Sequence, residues 1–301
     1  MYDLIILGAG PAGITASVYA ARKKMDFLVI STDIGGQAAR SGDIENYTGY
    51  QFVTGPELAI KFEEHMTSFG ININMPEKII EIRNENNLIK TITEKNEYLS
   101  KTLIIATGKR PRELNVNGEK EYKNKGVTYC ATCDGPIFSN KDVAIIGGGN
   151  SALDASLQMM NISPKVHIIN ITSDLTGDPV MIEKVTDAEN VIIHNNSEVK
   201  NIYGDIFVNS IEIKKNGNIE KIKVEGVLVE IGLMPNSEFA GFLKKNKHEE
   251  IIVDCFNKTS IEGVFAAGDV TNVPEKQIII AAGEGSKALL GAFKYLSTHK
   301  F

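Results

Sequence analysis

Two stretches of the chain follow one plan. "DLIILGAGPAGITASVYAARK" at residues 3–23 and "DVAIIGGGNSALDASLQMMN" at 142–161 each run an apolar strand into a glycine turn and then an amphipathic helix. Gly8, Gly10 and Gly13 of the first answer to Gly147, Gly149 and Ala152 of the second. Glycines at this spacing permit a tight turn and a close approach of backbone, and the following helix aims its N-terminal amides at a pyrophosphate. The flanking strand and helix are the context that gives such a motif weight. The competing reading is a strand–turn–helix with no ligand.

The apolar strands "TLIIATG" (102–108), "GVLVEIGLMPN" (226–236) and "GVFAAGD" (263–269) also end in small-residue turns. Strands alternating with helical segments indicate an α/β fold with a mostly parallel sheet. The duplication therefore predicts two Rossmann-like, three-layer dinucleotide-binding domains. Because "GVFAAGD" follows the second fingerprint, the second domain is expected to be inserted into the first. The expected division is 1–113 with 243–301 for the first domain and 114–242 for the second, joined near the charged stretches 115–126 and 244–250. Asp269 closes its strand after Gly268, where a carboxylate can accept from a polyol hydroxyl. That favours FAD in the first domain, although an Asp there is also an ordinary turn former.

The remaining composition narrows the class. A net charge of −6 speaks against a nucleic-acid binder, and no apolar run nears the ~18 residues of a membrane span. The chain opens directly on a strand with no basic leader, and its three cysteines are too few for a disulfide scaffold, so a cytoplasmic location is expected. Two of those cysteines lie in "YCATCDG" (129–135), one helical turn apart and close enough for a disulfide. In a dithiol of this kind one thiol attacks a partner disulfide and the other resolves the mixed disulfide. Asp134 is placed to carry a proton, or is simply a turn residue before Gly135. The alternative, half a zinc site, lacks a second ligand pair, so no metal is expected. Cys255 stands alone and reads as a small buried hydrophobe.

With "GAGPAG", "GGQ" (35–37), "IENYTG" (44–49), "ATG" (106–108), "CATCDG", "GGGNSA", "GVFAAGD" and "KQIIIAAGEG" (276–285) in order, the chain resembles the low-molecular-weight FAD-dependent thioredoxin reductases over essentially its whole length. The resemblance implies a homodimer in which Cys133 contacts the flavin, Cys130 attacks thioredoxin and Asp134 serves as acid and base. It also implies rotation of the dithiol domain between flavin and substrate protein. FAD would be held by Gly8, Gly10, Ala12 and Gly13, by Gly35, Gly36, Gln37 and Asn46, and by Ala106, Thr107 and Gly108. Gly268, Asp269, Lys276, Gln277 and Ile278 would complete that set. "VPEKQIIIAAGEG" is similar also to the flavoprotein that reduces bacterial peroxiredoxins, which carries an additional N-terminal thioredoxin-like region.

One stretch departs from the pattern. NADPH-using relatives end the strand after the second glycine turn in a His-Arg-Arg run with a further arginine, which grips the 2′-phosphate through charge-assisted bonds. In "VHIINITSDLTGD" (166–178) the corresponding residues are Asn170, Ile171, Thr172 and Thr176, and the next basic residue is Lys184. NADPH is therefore not the expected donor. NADH asks for an acidic or polar reader of the ribose 2′-OH near the strand end, and Asn170 and Asp174 are the candidates. The missing arginines resemble the ferredoxin-dependent flavin thioredoxin reductases, which makes reduced ferredoxin the favoured donor and NADH the alternative. An acidic ferredoxin would need a basic dock, for which "ARKK" (21–24) and "GKRPR" (108–112) are candidates. Reduction of a peroxiredoxin or glutaredoxin-like partner is a second enzymatic reading, and a slow, redox-regulated flavin-binding protein a reading of another class.

Overall fold

The computed structural model describes residues 1–41, 43–85 and 88–301, without the side chains of Asp43, Thr132 and Cys133. The chain divides into two compact units, residues 1–110 with 234–301, and residues 111–233. The crossings fall three and nine residues before the edges expected from sequence. The stretch 115–126 lies wholly inside the second unit and 244–250 wholly inside the first, so neither charged stretch is a connection. The physical reason is local bonding. Asn236 Nδ2 donates to the Thr107 carbonyl and Asn236 Oδ1 accepts from Arg110 Nη1, which draws the residues after 233 into the first unit.

The first unit is built on a seven-stranded sheet. Tyr2–Ala9 runs at its centre between Phe27–Ile34 and Glu97–Ile105, parallel to both. Ile73–Asn74 extends one edge, Val264–Ala266 pairs in parallel with Glu97–Ile105, and the antiparallel strands Leu88–Thr93 and Ile79–Glu85 extend the other side. The central strand is apolar at every position from Leu4 to Leu7 because both faces are covered. Leu4 and Ile6 pack toward the helices with Val29 and Ile104; Ile5 and Leu7 pack on the opposite face with Ile30, Leu103 and Ile251. Two helices cover the first face. Pro11–Arg22 starts on a proline whose missing N–H costs nothing there, and Ile278–Thr298 is the longest helix among the described residues. Small residues (Ala12, Ala16, Ala20, Ala288 and Ala292) fill the core cluster these helices share. A third helix, Gly55–Ser68, is closed at its start by a reciprocal Thr54–Glu57 capping box.

The second unit carries a five-stranded parallel sheet in the order Val127–Thr128, Gly226–Val229, Val143–Ile146, Val166–Ile169, Val191–His194. An antiparallel meander of Ser197–Gly204, Val208–Lys215 and Asn218–Lys223 shares one core with it; helices Asn150–Met159 and Pro179–Thr186 contribute to the other. Both units thus have the Rossmann-like plan expected of an α/β protein, the second inserted into the first. No helix among the described residues is long and apolar enough to cross a membrane.

Helix contact in the first unit makes a prediction against helix propensity. A Cβ at Gly285 would stand 2.0 Å from the Ala12 carbonyl oxygen. Alanine is the better helix former by about 1 kcal/mol, yet Gly285→Ala should destabilise the protein by roughly 2 kcal/mol, measured by urea unfolding.

Candidate active site

The end of the first strand reaches the cleft through glycine geometry. Gly8 has φ +101°, and a Cβ there would lie 2.4 Å from the Ala106 carbonyl oxygen. Only a glycine lets the two strand ends come so close. Gly13 packs beneath the turn, its missing Cβ leaving room for the Gly8 carbonyl. Gly36 brings a second turn within van der Waals distance of Gly10. Between these backbones lies a cleft of about 840 Å³.

Most of the residues expected at a cofactor meet in this cleft. Gly8, Gly10, Ala12, Gly36, Gln37, Ala106, Thr107, Gly108, Gly268, Asp269, Lys276, Gln277 and Ile278 all line it. Three expected residues do not line it. Gly13 lies under the turn, Gly35 donates its N–H to Ala9 O, and Asn46 Nδ2 donates to Gln277 Oε1. Gln37 and Thr107 are held in place by donating to the carbonyls of Lys109 and Asn236. Burial pushes the Asp269 carboxyl above its usual range, opposed by Lys276 and Lys109.

A carboxylate that sequence reading did not single out organises the cationic side of the cleft. Glu250 Oε1 pairs with Lys109 Nζ at 2.8 Å and Lys276 Nζ at 3.2 Å, and its Oε2 accepts from Asn246 Nδ2. Burial opposes its ionisation, but the bonds from Lys109, Asn246 and Lys276 hold the carboxyl down at about 2. Lys109 and Arg110 of "GKRPR" are thereby engaged, Arg110 with Glu238. Glu250 is separated from both lysines by long sequence intervals, so no local pattern announces the cluster.

The shape and chemistry of the cleft fit a dinucleotide: a glycine-walled trough, a helix N-terminus at Pro11 and a carboxylate at the far strand end. In the second unit the cysteine segment is held from several sides. Ala131–Asp134 forms one helical turn, in which the Asp134 N–H donates to Cys130 O. Thr128 Oγ1 donates to Asp134 Oδ2 and accepts from the Cys130 N–H. Buried Glu119 accepts from the Leu114 and Asn115 amides and from the Tyr129 hydroxyl. Burial and the Glu119 contact raise the Tyr129 phenol well above its usual value. Cys130 is held in a disulfide, whereas Cys255 is free and exposed, not the buried residue expected. The Cys133 side chain lies outside the described residues. No cluster of metal-ligating side chains occurs among the described residues.

The second glycine turn repeats the strand-end approach of the first and adds a side chain at Gly148. A Cβ at Gly147 would meet the Glu230 carbonyl oxygen at 2.3 Å, and one at Gly148 would meet Asn170 Oδ1 at 2.3 Å. Asn170 is 2 % exposed; its Nδ2 donates to Thr172 O and Asn195 Oδ1, and its Oδ1 accepts from Thr172 Oγ1. The Thr176 N–H donates to the Gly148 carbonyl at 2.8 Å. Asp174 is exposed and accepts from its neighbour Ser173.

Two dinucleotide-type lobes, with a glycine-walled cleft in one and a cysteine turn in the other, define an α/β flavoprotein class. The chain belongs to the pyridine nucleotide-disulphide oxidoreductase family, which matches residues 2–285, and its cofactor is FAD. It is 40 % identical over 299 residues to the NADH dehydrogenase of Bacillus subtilis (strain 168), covering 98 % of this chain and 58 % of that protein. It is 39 % identical over 303 residues to the F component of the alkyl hydroperoxide reductase of Escherichia coli (strain K12), with the same coverages of 98 % and 58 %. The chain thus spans somewhat over half the length of these curated relatives. The thioredoxin reductase of Lactococcus lactis, in its FR conformation, superposes with a TM-score of 0.85 at 34 % identity, over 99 % of this chain and 100 % of that one.

The Glu250 cluster has a pH signature. Its carboxyl is lowered from an ordinary ~4.3, so its contribution is present above that value and is lost as pH falls through about 2. Glu250→Gln should cost roughly 2 kcal/mol at pH 7 in urea unfolding, by leaving two lysines without their partner. The difference from the unmodified protein should shrink steadily below about pH 4.3.

Proposed function

We propose that the chain is a homodimeric FAD-dependent disulfide reductase that oxidises NADH and reduces a thioredoxin or a peroxiredoxin-linked partner through Cys130 and Cys133. The observation that carries this reading is the cysteine turn itself, clamped by Thr128 and by the Glu119–Tyr129 bond, in a chain that also builds the FAD cleft. The names of the relatives support NADH as donor and thioredoxin or peroxide-linked partners as acceptors. FAD supplies acceptance of two electrons from the donor and their release to the disulfide.

The residues divide the remaining work. Gly8, Gly10, Gly36 and the Pro11 helix start provide the backbone trough for the pyrophosphate, and Asp269 takes a hydroxyl of the flavin side chain. Reduction of the enzyme disulfide consumes two electrons and two protons. The Cys130 thiolate then attacks one sulfur of the partner disulfide, and Cys133 displaces the partner from the mixed disulfide. The enzyme disulfide re-forms and the partner leaves as a dithiol. Asp134, fixed by the Thr128 hydroxyl, carries the proton.

NADPH is disfavoured on charge. No lysine or arginine occurs from Ile169 to Pro179, and each charge-assisted bond lost to a 2′-phosphate is worth about 1.5–3 kcal/mol, or tenfold and more in affinity. A second reading, with reduced ferredoxin as donor, is favoured by one observation: the Asn170 amide is already bonded at both ends inside the protein and Thr176 is tied to Gly148.

Anaerobic mixing with NADH, NADPH or photoreduced ferredoxin, followed by flavin absorbance, separates these readings. NADH is expected to bleach the flavin within seconds at micromolar concentration; bleaching by ferredoxin alone would replace NADH by the second reading. Cys130→Ser should retain bleaching by the donor while thioredoxin reduction falls roughly a thousandfold.

A further inference from the structure

Glu230 follows the buried strand Gly226–Val229, and two contacts fix its backbone. Its N–H donates to Ile146 O at 2.8 Å, and its carbonyl fills the space that a Cβ on Gly147 would take. Val229 and Ile231 pack into the core shared with the antiparallel meander. Strand alternation therefore sends the Glu230 side chain to the opposite face, the face on which Leu228 packs with Ala131 and Phe138. There Glu230 Oε1 lies 3.4 Å from the Ala131 backbone nitrogen and accepts its hydrogen bond. That nitrogen belongs to the peptide bond leaving Cys130.

We propose that Glu230 is a positioning residue for the dithiol, whose carboxylate, seated on the Cys130–Ala131 peptide, opposes ionisation of the Cys130 thiol. The inference rests on the reading of Cys130 as a redox-active cysteine. Covalent geometry keeps the Cys130 sulfur within about 5 Å of the Ala131 nitrogen, so the carboxylate oxygen and the sulfur are no more than about 8 Å apart. At that distance, in a partly buried site, a like charge raises a thiol by about one pH unit. Reduction of the disulfide yields two thiols, and only loss of a proton from Cys130 makes the attacking thiolate. Glu230 acts on that proton.

The surroundings make this charge switchable near neutrality. Burial pushes the Glu230 carboxyl up to about 7; the bond from Ala131 draws it down and Asp154 pushes it up further. Asp154 comes from the helix Asn150–Met159 and is solvent-exposed. Asp134, the acid of the cysteine segment, is turned to the Thr128 hydroxyl. Val143–Ile146 contributes only apolar side chains, and the glycine turn only backbone. Below its midpoint Glu230 is a neutral carboxyl and leaves the thiol unperturbed. Above it, the negative charge holds the proton on Cys130.

The test uses the FAD-loaded protein, reduced with dithiothreitol and freed of reductant under anaerobic conditions. Iodoacetamide alkylation of Cys130 is then followed by peptide mass spectrometry from pH 5.5 to 9.5. The unmodified protein is expected to show two steps, one near the Glu230 midpoint of about 7 and one for the thiol above it. Glu230→Gln should give a single step about one unit lower. It should also alkylate about threefold faster at pH 7.5, since a thiolate of lower basicity is also a weaker nucleophile. Asp154→Asn, at an exposed position that acts on Glu230, should move chiefly the lower step, and downward. Superimposable profiles for the unmodified protein and Glu230→Gln, or a single step in the unmodified protein, would overturn the proposal. If Cys130 is not alkylated at all after reduction, the redox reading itself falls and takes this inference with it.

Discussion

The approach of Gly8 to Ala106 is the contact on which the first unit depends. With a Cβ at Gly8 held 2.4 Å from a carbonyl oxygen, no other residue lets the first strand end beside the "ATG" turn. That approach sets where the helix Pro11–Arg22 begins, and the helix in turn receives Ile278–Thr298 through the bare backbone at Gly285. The cleft is what remains between these backbones. Its polar lining then follows from long-range contacts: Gln37 to Lys109, Thr107 to Asn236, and Glu250 to two lysines. A dinucleotide fits because the walls are main chain, which offers N–H groups without side-chain bulk.

The second unit repeats the plan and spends its glycines on itself. Gly147 admits the Glu230 carbonyl and Gly148 admits the Asn170 amide. The two turns share the strand-end approach, Gly8 to Ala106 in one and Gly147 to Glu230 in the other, and differ at Gly148, where a side chain fills the space. Asn170, at the end of the following strand, is bonded to Thr172 and Asn195.

The fold is legible in the sequence because its signals are local and repeated. Four-residue buried strands such as "VAII" and "VHII", the first running into a glycine turn, mark a parallel sheet covered on both sides. The cleft residues are legible through motifs that keep strand, turn and helix in register. The crossings between units are not, since Asn236 and Glu238 look like loop residues until their bonds to Thr107 and Arg110 are seen. Glu250 and Glu230 are invisible for a related reason. A single carboxylate acquires its role from partners more than 90 residues away in sequence, Lys109 for one and Ala131 for the other. Cys255 misleads because a lone cysteine is among the most often buried residues, whereas its own turn leaves it exposed.

What unites these features is the proposed transfer of electrons from FAD to a disulfide. Stoichiometry under anaerobic conditions addresses that most directly. Purified FAD-loaded protein is given NADH and an excess of oxidised thioredoxin, and NADH loss is compared with thiols formed. The account predicts two thiols on thioredoxin for each NADH oxidised. Flavin reduction by NADH with no thiol appearing on any thioredoxin or peroxiredoxin-linked partner would contradict it.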